Sequence, residues 1–343
     1  MQLYAIKSKL ILPGDSLAAR FVEALSAARL RVKNGDIIAI TSKVVSLSER
    51  NIVSLASVKP TVLARRLGRR FDMLPEFAQV VLNESDAIYG GVPGVLLTLK
   101  NGDAISNSGV DRKNAPGDSV IPWPVNPQRS AETIQRTVNR KLARRIGVVI
   151  VDSRVTPLRQ GTIGLAIACS GFQPVRDSRG IKDLYGRKAQ ITLQALADGI
   201  AAAAHLLMGE TRETIPFVLV RGAPVQLGSR KGSDSMTLPV KDCLYMSQMP
   251  RPRFFPRRNR PFSTLISNLG WAPHTSLRIV RESLKTSPLF ATLPKPGLYP
   301  ESRDSPRIGA RQKIPSSKKG GTFQASRDAQ ERKPQLTLPK LTT

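Results

Sequence analysis

Cysteine and histidine are scarce in this 343-residue chain: Cys169, Cys243, His205 and His274 are all there is. Two cysteines cannot build a disulfide scaffold, and with two scattered histidines they form no zinc-binding spacing. Any metal must therefore be held by oxygen. Long apolar runs are missing too, since no stretch reaches the roughly 18 consecutive apolar residues of a membrane-spanning helix. The nearest, LQALADGIAAAAHLLMG, is interrupted by Asp198 and reads as a buried helix. The first residues, MQLYAIKSKLILPGDSL, show no basic region followed by an apolar run and a small-residue cleavage site. The expectation is a cytoplasmic protein without membrane association.

Acidic residues are the other shortage, 25 Asp and Glu against 53 Lys and Arg, which leaves a formal charge of +28. That balance by itself points to nucleic acid or another polyanion as partner. The excess is uneven, because residues 248–343 carry 19 Lys and Arg but only 5 Asp and Glu. From Pro250 onward the chain also holds 13 of its 26 prolines, in stretches such as RPRFFPRRNRP, PSSKKGG and ERKPQ. A segment of this kind buries too little apolar surface to offset its ordering entropy, so disorder is expected, with at most a short helix at SLRIVRESL. The chain thus divides into a folded domain over 1–247 and a basic, proline-rich tail over 248–343. Such a tail binds polyanions non-specifically and loses them steeply with salt, and it is equally readable as an extension with no function.

Within the folded part, Asp15 or Ser16 can cap a helix with Leu17, Phe21, Val22 and Leu25 on one face. The turn Asn34-Gly35-Asp36 feeds a strand, IIAI, which empties into TSKVVSLSER, a hydroxyl-rich, Lys-bearing segment suited to phosphate oxygens. Helices follow in TVLARRLGRRF and PEFAQVVLNES. Asn101-Gly102 between two apolar runs marks a hairpin whose second arm leads to Asp111. Ser130 is read as the cap of the basic helix AETIQRTVNRKLARR, after which the strand GVVIV ends at Asp152. A long helix around 188–208 leads to Glu210, and FVLVRG is the last clear strand. Helices alternating with strands, and at least one hairpin, indicate an α+β fold with mixed sheets.

Asp111, Asp152 and Glu210 each end a regular element. Carboxylates so placed can converge in a cleft and bind Mg²⁺ or Mn²⁺, hard cations that leave positions open for substrate phosphates. Taken singly, an Asp at such a place is also a turn former or a cap, and spacing alone does not gather the three.

The segments NSGVDRKN, VVIVDS, DLYGR and LLMGE followed by IPFVLVRG, in that order, resemble those of the coenzyme F-420-0:L-glutamate ligases. The resemblance spans residues 1 to about 247. It implies an α+β fold of mixed and antiparallel sheets with packed helices, two lobes forming a homodimer. It implies an enzyme that uses GTP as co-substrate and Mg²⁺ or Mn²⁺, two ions, with K⁺ as a further candidate. L-glutamate would be joined by an amide bond, through an acyl phosphate, to a carboxylate on a small acidic deazaflavin acceptor. By the same resemblance Asp111 and Asp152 hold one metal, and Ser153 and Glu210 the second. Asn114, Ser42 and Lys43 touch the nucleotide, as do the loop from Ser8 through Lys9 and Leu10 to Ile11 and the stretch from Met208 and Gly209 to Ile215. Asp111, Asp152 and Arg159 make up the catalytic set, and Arg159, Lys182 and Arg187 are candidates for holding the anionic groups of the acceptor. Each of those cations is also readable as solvated surface charge.

Departures from the family pattern are specific. Many members read Ser-Lys-Ala-Glu-Gly where this chain has Ser46-Leu47-Ser48-Glu49-Arg50, so a nucleotide-contacting Lys becomes Leu47. Ser153 replaces a Thr and keeps the hydroxyl, while Asn/Phe-Gly-Arg becomes Arg154-Val155-Thr156. These changes bear on substrate or nucleotide preference more than on the metal residues. GSRKGSDS (228–235) lacks P-loop spacing and reads as a loop. Trp123 in PWP, Cys169 and His205 read as packing residues. The competing function is a fold relative without catalysis that binds nucleic acid or another polyanion through its tail.

Overall fold

The computed structural model describes residues 1–231 and 236–254. The disorder expected over most of 248–343, and the short helix in it, fall on 255–343, outside the described residues.

In chain order the elements are β1 (Gln2–Ile6), α1 (Leu17–Ala27), β2 (Ile37–Thr41), α2 (Ser42–Ser48), β3 (Val53–Ser54), α3 (Val62–Phe71), α4 (Pro75–Glu84), β4 (Ala87–Val92), β5 (Val95–Lys100), β6 (Asp103–Ser106) and β7 (Ser119–Val120). They continue with α5 (Pro127–Leu142), β8 (Gly147–Val155), β9 (Thr162–Phe172), β10 (Val175–Asp177), β11 (Leu193–Ala195), α6 (Leu196–Met208), β12 (Phe217–Arg221) and β13 (Leu227–Lys231). A six-stranded sheet, ordered β1-β12-β2-β8-β9-β13, forms the centre. Only the β2–β8 pair is parallel, which makes the fold α+β with mixed sheets.

Helices cover both faces of this sheet, and that explains why its middle strands read as unbroken apolar runs. Along β8, Val148 and Ile150 join the core under α1 and α5, while Val149 and Val151 join the core under α6. Each such side chain contributes about 1.5–3 kcal/mol on leaving water. A β-bulge opposite Ile150 and Val151 inserts one residue in β9. It turns Ile167 and Ala168 to one face, and the Ala166 amide is taken up by Asp198 in the first turn of α6 at 3.1 Å.

The parallel step from β2 to β8 is long because it carries a second lobe. Here α3 and α4 pack with the β4-β5-β6 sheet and the β3-β7 pair around Leu67, Val81, Ile88 and Leu96. Packing continues past the boundary drawn from composition. Met246 and Cys243 cover Ala87, Tyr89 and Leu99, and Phe254 lies against the α3/α4 core, with its carbonyl accepting from Ile88 N at 3.0 Å.

Several element edges differ from the sequence expectation. Helix α5 starts at Pro127, not after Ser130, because Asn126 supplies the cap to Arg129 N at 3.0 Å and proline suits the first helical position. Helix α6 begins only at Leu196, since the preceding residues pair as β11 with β10. TSKVVSLSER is helical from Ser42 to Ser48. GSRKGSDS runs into β13 as far as Lys231, and 232–235 lie outside the described residues. Most consequential, β8 does not end at Asp152: it continues to Val155, with Asp152 opposite Leu165 and Arg154 opposite Ile163. The antiparallel partner β9 supplies the hydrogen bonds that keep the strand going.

Candidate active site

The site lies where β2, β8 and the returning chain of the second lobe meet. Parallel register places Thr41 beside Val151, so Ser42 adjoins Asp152 although 110 residues separate them. The Ser42 hydroxyl donates to Asp152 Oδ1 at 2.8 Å, and the Trp123 indole N–H donates to Oδ2. Trp123 is itself buried, held by Asn51 Nδ2 on its carbonyl at 2.7 Å. Its indole lies so close over Gly109, at φ +68°, that a β-carbon there would stand 2.1 Å from Nε1. Burial pushes the Asp152 carboxyl above its ordinary range, with Trp123, Ser42 and Lys43 opposing the rise. Asp111 is bridged through its backbone to Ile121, and its Oδ2 takes an ion pair from Lys43 at 2.8 Å.

Across from this pair, the C-terminal end of α6 delivers Glu210. Gly164, opposite Ser153 on the sheet, lets α6 approach: a β-carbon there would meet the Ala201 carbonyl at 2.4 Å and His205 Cβ at 2.7 Å. His205 Nε2 then reaches Glu210 Oε1 at 2.9 Å, joined by the Thr162 hydroxyl at 2.6 Å, while Lys113 Nζ pairs with Oε2 at 3.0 Å. Burial works to raise the Glu210 carboxyl, but Thr162, Lys113 and His205 outweigh it and bring it down to about 2. Asn114 Nδ2 donates to the Thr211 carbonyl at 2.8 Å, tying the two sides together.

Two cavities adjoin here. The larger, of about 510 Å³, is lined by Ser8, Lys9, Leu10, Ile11, Leu47, Asn114, Met208, Gly209, Glu210 and Ile215. The smaller, of about 200 Å³, is lined by Asp111, Asn107, Arg154 and Thr162. Ser42, Lys43, Asp152 and Ser153 belong to both walls. Arg159 is outside both linings, in the exposed turn between β8 and β9, and Lys182 and Arg187 are on the exposed ribbon between β10 and β11. The departures Leu47 and Arg154, in contrast, each face a cavity.

Asp111, Asp152, Ser153 and Glu210 offer oxygen donors, the chemistry of Mg²⁺ or Mn²⁺. The residues fit a hard cation in kind. They are not gathered as three carboxylates around one point: among the described residues no three Asp, Glu, His or Cys stand together as a metal cluster. Close carboxylates repel unless compensated, and here each has its own compensation, Lys43 at Asp111, Ser42 and Trp123 at Asp152, and Lys113 and His205 at Glu210.

Trp123 and His205, read from sequence as packing residues, touch the two acids directly, and Lys113 and Thr162 complete the Glu210 shell. One signal for Trp123 was available: a buried indole N–H must find an acceptor. Cys169 is a core residue, and burial pushes its thiol up to about 12.

Fold and site define an α+β protein whose half-buried acidic residues stand where two cavities meet. The sequence model of the family described as F420-0:gamma-glutamyl ligase matches residues 5–222. The coenzyme F420:L-glutamate ligase of Methanopyrus kandleri is 36% identical over 235 residues, 67% of this chain and 91% of that protein. Its namesakes in Archaeoglobus fulgidus and Methanothermobacter thermautotrophicus are 38% and 36% identical, covering 63% and 62% of this chain and 85% and 84% of theirs. The chain belongs to the F420-0:gamma-glutamyl ligase family, a family of ligase enzymes. Among the described residues no helix is long and apolar enough to cross a membrane.

Proposed function

We propose that this protein joins L-glutamate by an amide bond to a carboxylate of F420-0 or a related deazaflavin acceptor, using GTP and a divalent cation. The observation that carries the reading is the wall shared by the two cavities, Ser42, Lys43, Asp152 and Ser153. A nucleotide seated in the larger cavity, against Leu10, Ile11, Leu47 and Met208, has its terminal phosphate at that wall, next to whatever the smaller cavity holds. In the reaction the acceptor carboxylate attacks the γ-phosphorus and GDP leaves. The glutamate amine then attacks the acyl phosphate carbon, losing a proton as phosphate departs.

Such chemistry depends on positioning and on neutralising phosphate charge. Lys43 and Lys113 already stand on the acids with ammonium groups, and Ser42 and Trp123 hold Asp152 in one orientation. Asp111 and Asp152 would hold one Mg²⁺ or Mn²⁺, with Ser153 and Glu210 as donors to a second. A bound divalent ion would supply charge neutralisation of the phosphates. K⁺ remains a further candidate, without a donor set of its own here. A homodimer is part of the reading, and the exposed apolar residues Ile181, Leu184, Tyr185 and Ile191 of the β10–β11 ribbon are the surface available to a second copy. Light scattering of the full chain against Leu184→Asp checks this, and a monomeric, active wild type would refute it.

The direct test is a thermal-shift panel of GTP, ATP, Mg²⁺ and Mn²⁺ on wild type and Asp152→Asn, with glutamate-dependent GDP release from F420-0. A ligand that binds only the folded state adds about 2.7 kcal/mol at a hundred times its dissociation constant. That gain should appear for GTP with metal in wild type and vanish in Asp152→Asn. Equal shifts in both proteins, or none, would refute the ligase reading.

A further inference from the structure

Arg154 stands where the family pattern has another residue, and the structure gives it a place that Arg159, Lys182 and Arg187 lack. On β8 it is two residues beyond Asp152 in unbroken register, so the two side chains leave the same face about 7 Å apart. Both line the smaller cavity. The other cation of that cavity, Lys43, is already paired with Asp111. The Arg154 Nε, by contrast, is buried and has no hydrogen-bond partner. A buried donor without an acceptor costs free energy comparable to a lost hydrogen bond, so such groups in a cavity wall mark a place for an acceptor from outside. Hydroxyls of Ser42, Ser153 and Thr162 and the Asn107 amide complete a polar lining.

Size and charge narrow what fits. About 200 Å³ of cavity accommodates a carboxylate or a phosphate together with waters. Asp103 interacts electrostatically with Arg154, and its carboxyl is pushed up to about 7 by burial and by Asp198, against the pull of Arg154. It is therefore an incomplete counter-ion near neutrality. Resting on the ligase reading above, we propose that Arg154 is a specificity residue for the acceptor. Its guanidinium seats, in the smaller cavity, a second anionic group of the acceptor, carboxylate or phosphodiester, beside the carboxylate that is to be activated. Arginine suits this because its planar fork matches both anions with two parallel hydrogen bonds.

The experiment uses the full chain and titrates F420-0 and, separately, GTP with Mg²⁺ into wild type, Arg154→Gln and Arg154→Lys. Arg154→Gln should weaken F420-0 at least about 30-fold and raise the KM for F420-0 while those for GTP and glutamate stay within about twofold. Arg154→Lys should recover part of the loss, since a point charge lacks the fork. Dimethyl phosphate or acetate, added as competitor, should displace F420-0 from wild type, and which of them does so identifies the seated group. If neither competes, or if Arg154→Gln binds F420-0 as wild type does, the assignment is overturned. Should Arg154→Gln melt too low to titrate, Arg154→Lys decides, and wild-type affinity there overturns it equally. A wild type that binds GTP but no F420-0 overturns the ligase reading itself, whereas F420-0 bound equally by wild type and Arg154→Gln overturns only the role of Arg154.

Discussion

Replacing Trp123 with Phe removes one hydrogen-bond donor from a buried carboxylate and leaves most of the apolar ring in place. The Trp123 N–H is one of two side-chain donors on Asp152, the other being Ser42. A hydrogen bond to a charged group is worth about 1.5–3 kcal/mol and one to a neutral group about 0.5–1.5. The smaller ring leaves a void costing roughly another 1 kcal/mol. Urea unfolding in EDTA at neutral pH should thus show a loss of about 2–4 kcal/mol. Burial already raises the Asp152 carboxyl, and Trp123 is the foremost of the groups holding it down, so the variant raises it further. For an acid with a raised folded pKa, the charged form is what the fold penalises, and the penalty fades as pH falls through that pKa and the proton binds. The deficit of Trp123→Phe should therefore shrink toward acid pH. In an Asp152→Asn background it should be about 1 kcal/mol smaller at neutral pH, the difference between charged and neutral acceptors, and flat with pH. A deficit that is flat with pH and unchanged by Asp152→Asn would show that Trp123 acts through packing alone.

Gly109→Ala should cost about 2–4 kcal/mol, from the left-handed backbone and the displaced indole, and should reproduce the pH dependence of Trp123→Phe. Asp103, pushed up to about 7 by burial and Asp198, keeps its proton in the fold where the unfolded chain releases it near 3.9, so stability should decline as pH rises from about 4 to 7 and then level. Asp103→Asn should flatten that slope in a pH series of urea melts, and an unaltered slope would exclude Asp103 as its source. A chain ending at Phe254 should melt with the full-length protein. One ending at residue 247 loses the Phe254 contact and its Ile88 hydrogen bonds, and should melt about 2–8 °C lower by calorimetry.

Much of the sheet was legible because its signals are local. The β8 run is apolar at every position since both faces are covered, and Asn101-Gly102 makes the hairpin between β5 and β6. Strand ends were less legible, because β8 continues past Asp152 only by virtue of β9, a partner that local polarity does not reveal. Helix starts followed the stronger of two competing caps, Asn126 with Pro127 prevailing over Ser130. The acids of the site were readable one at a time, but the groups that compensate them were not. Lys43, Lys113, Trp123 and His205 reach Asp111, Glu210 and Asp152 through the β2–β8 register, the loop after β6 and the close approach of α6 over Gly164, none of which is a property of neighbouring residues in sequence.

The cations illustrate the difference most clearly. Arg159, Lys182 and Arg187 were chosen because positive charge near an acidic motif suits an anionic substrate, yet charge alone carries no direction, and all three lie in exposed connections. Direction comes from parity: on a strand, positions two apart share a face. Once β8 runs through to Val155, Arg154 must lie on the face of Asp152, and Ser153 on the face of α6 with Glu210. Leu47, on α2, gives the larger cavity an apolar wall where the family pattern has a Lys. By the resemblance, the departures put Leu47 in place of a cation at the larger cavity and, at the smaller, bring an arginine to position 154 while Thr156 stands where the family pattern has one. Polyphosphate affinity is expected to lean more heavily on Lys43 and the divalent ion, and acceptor affinity to lean on Arg154. Leu47→Lys should accordingly strengthen GTP binding and leave F420-0 binding unchanged, while Arg154→Gln should do neither of these and weaken F420-0 alone. Titrating both ligands into both variants separates the cavities, and a variant that moves both affinities together would show that the two cavities do not divide the substrates between them.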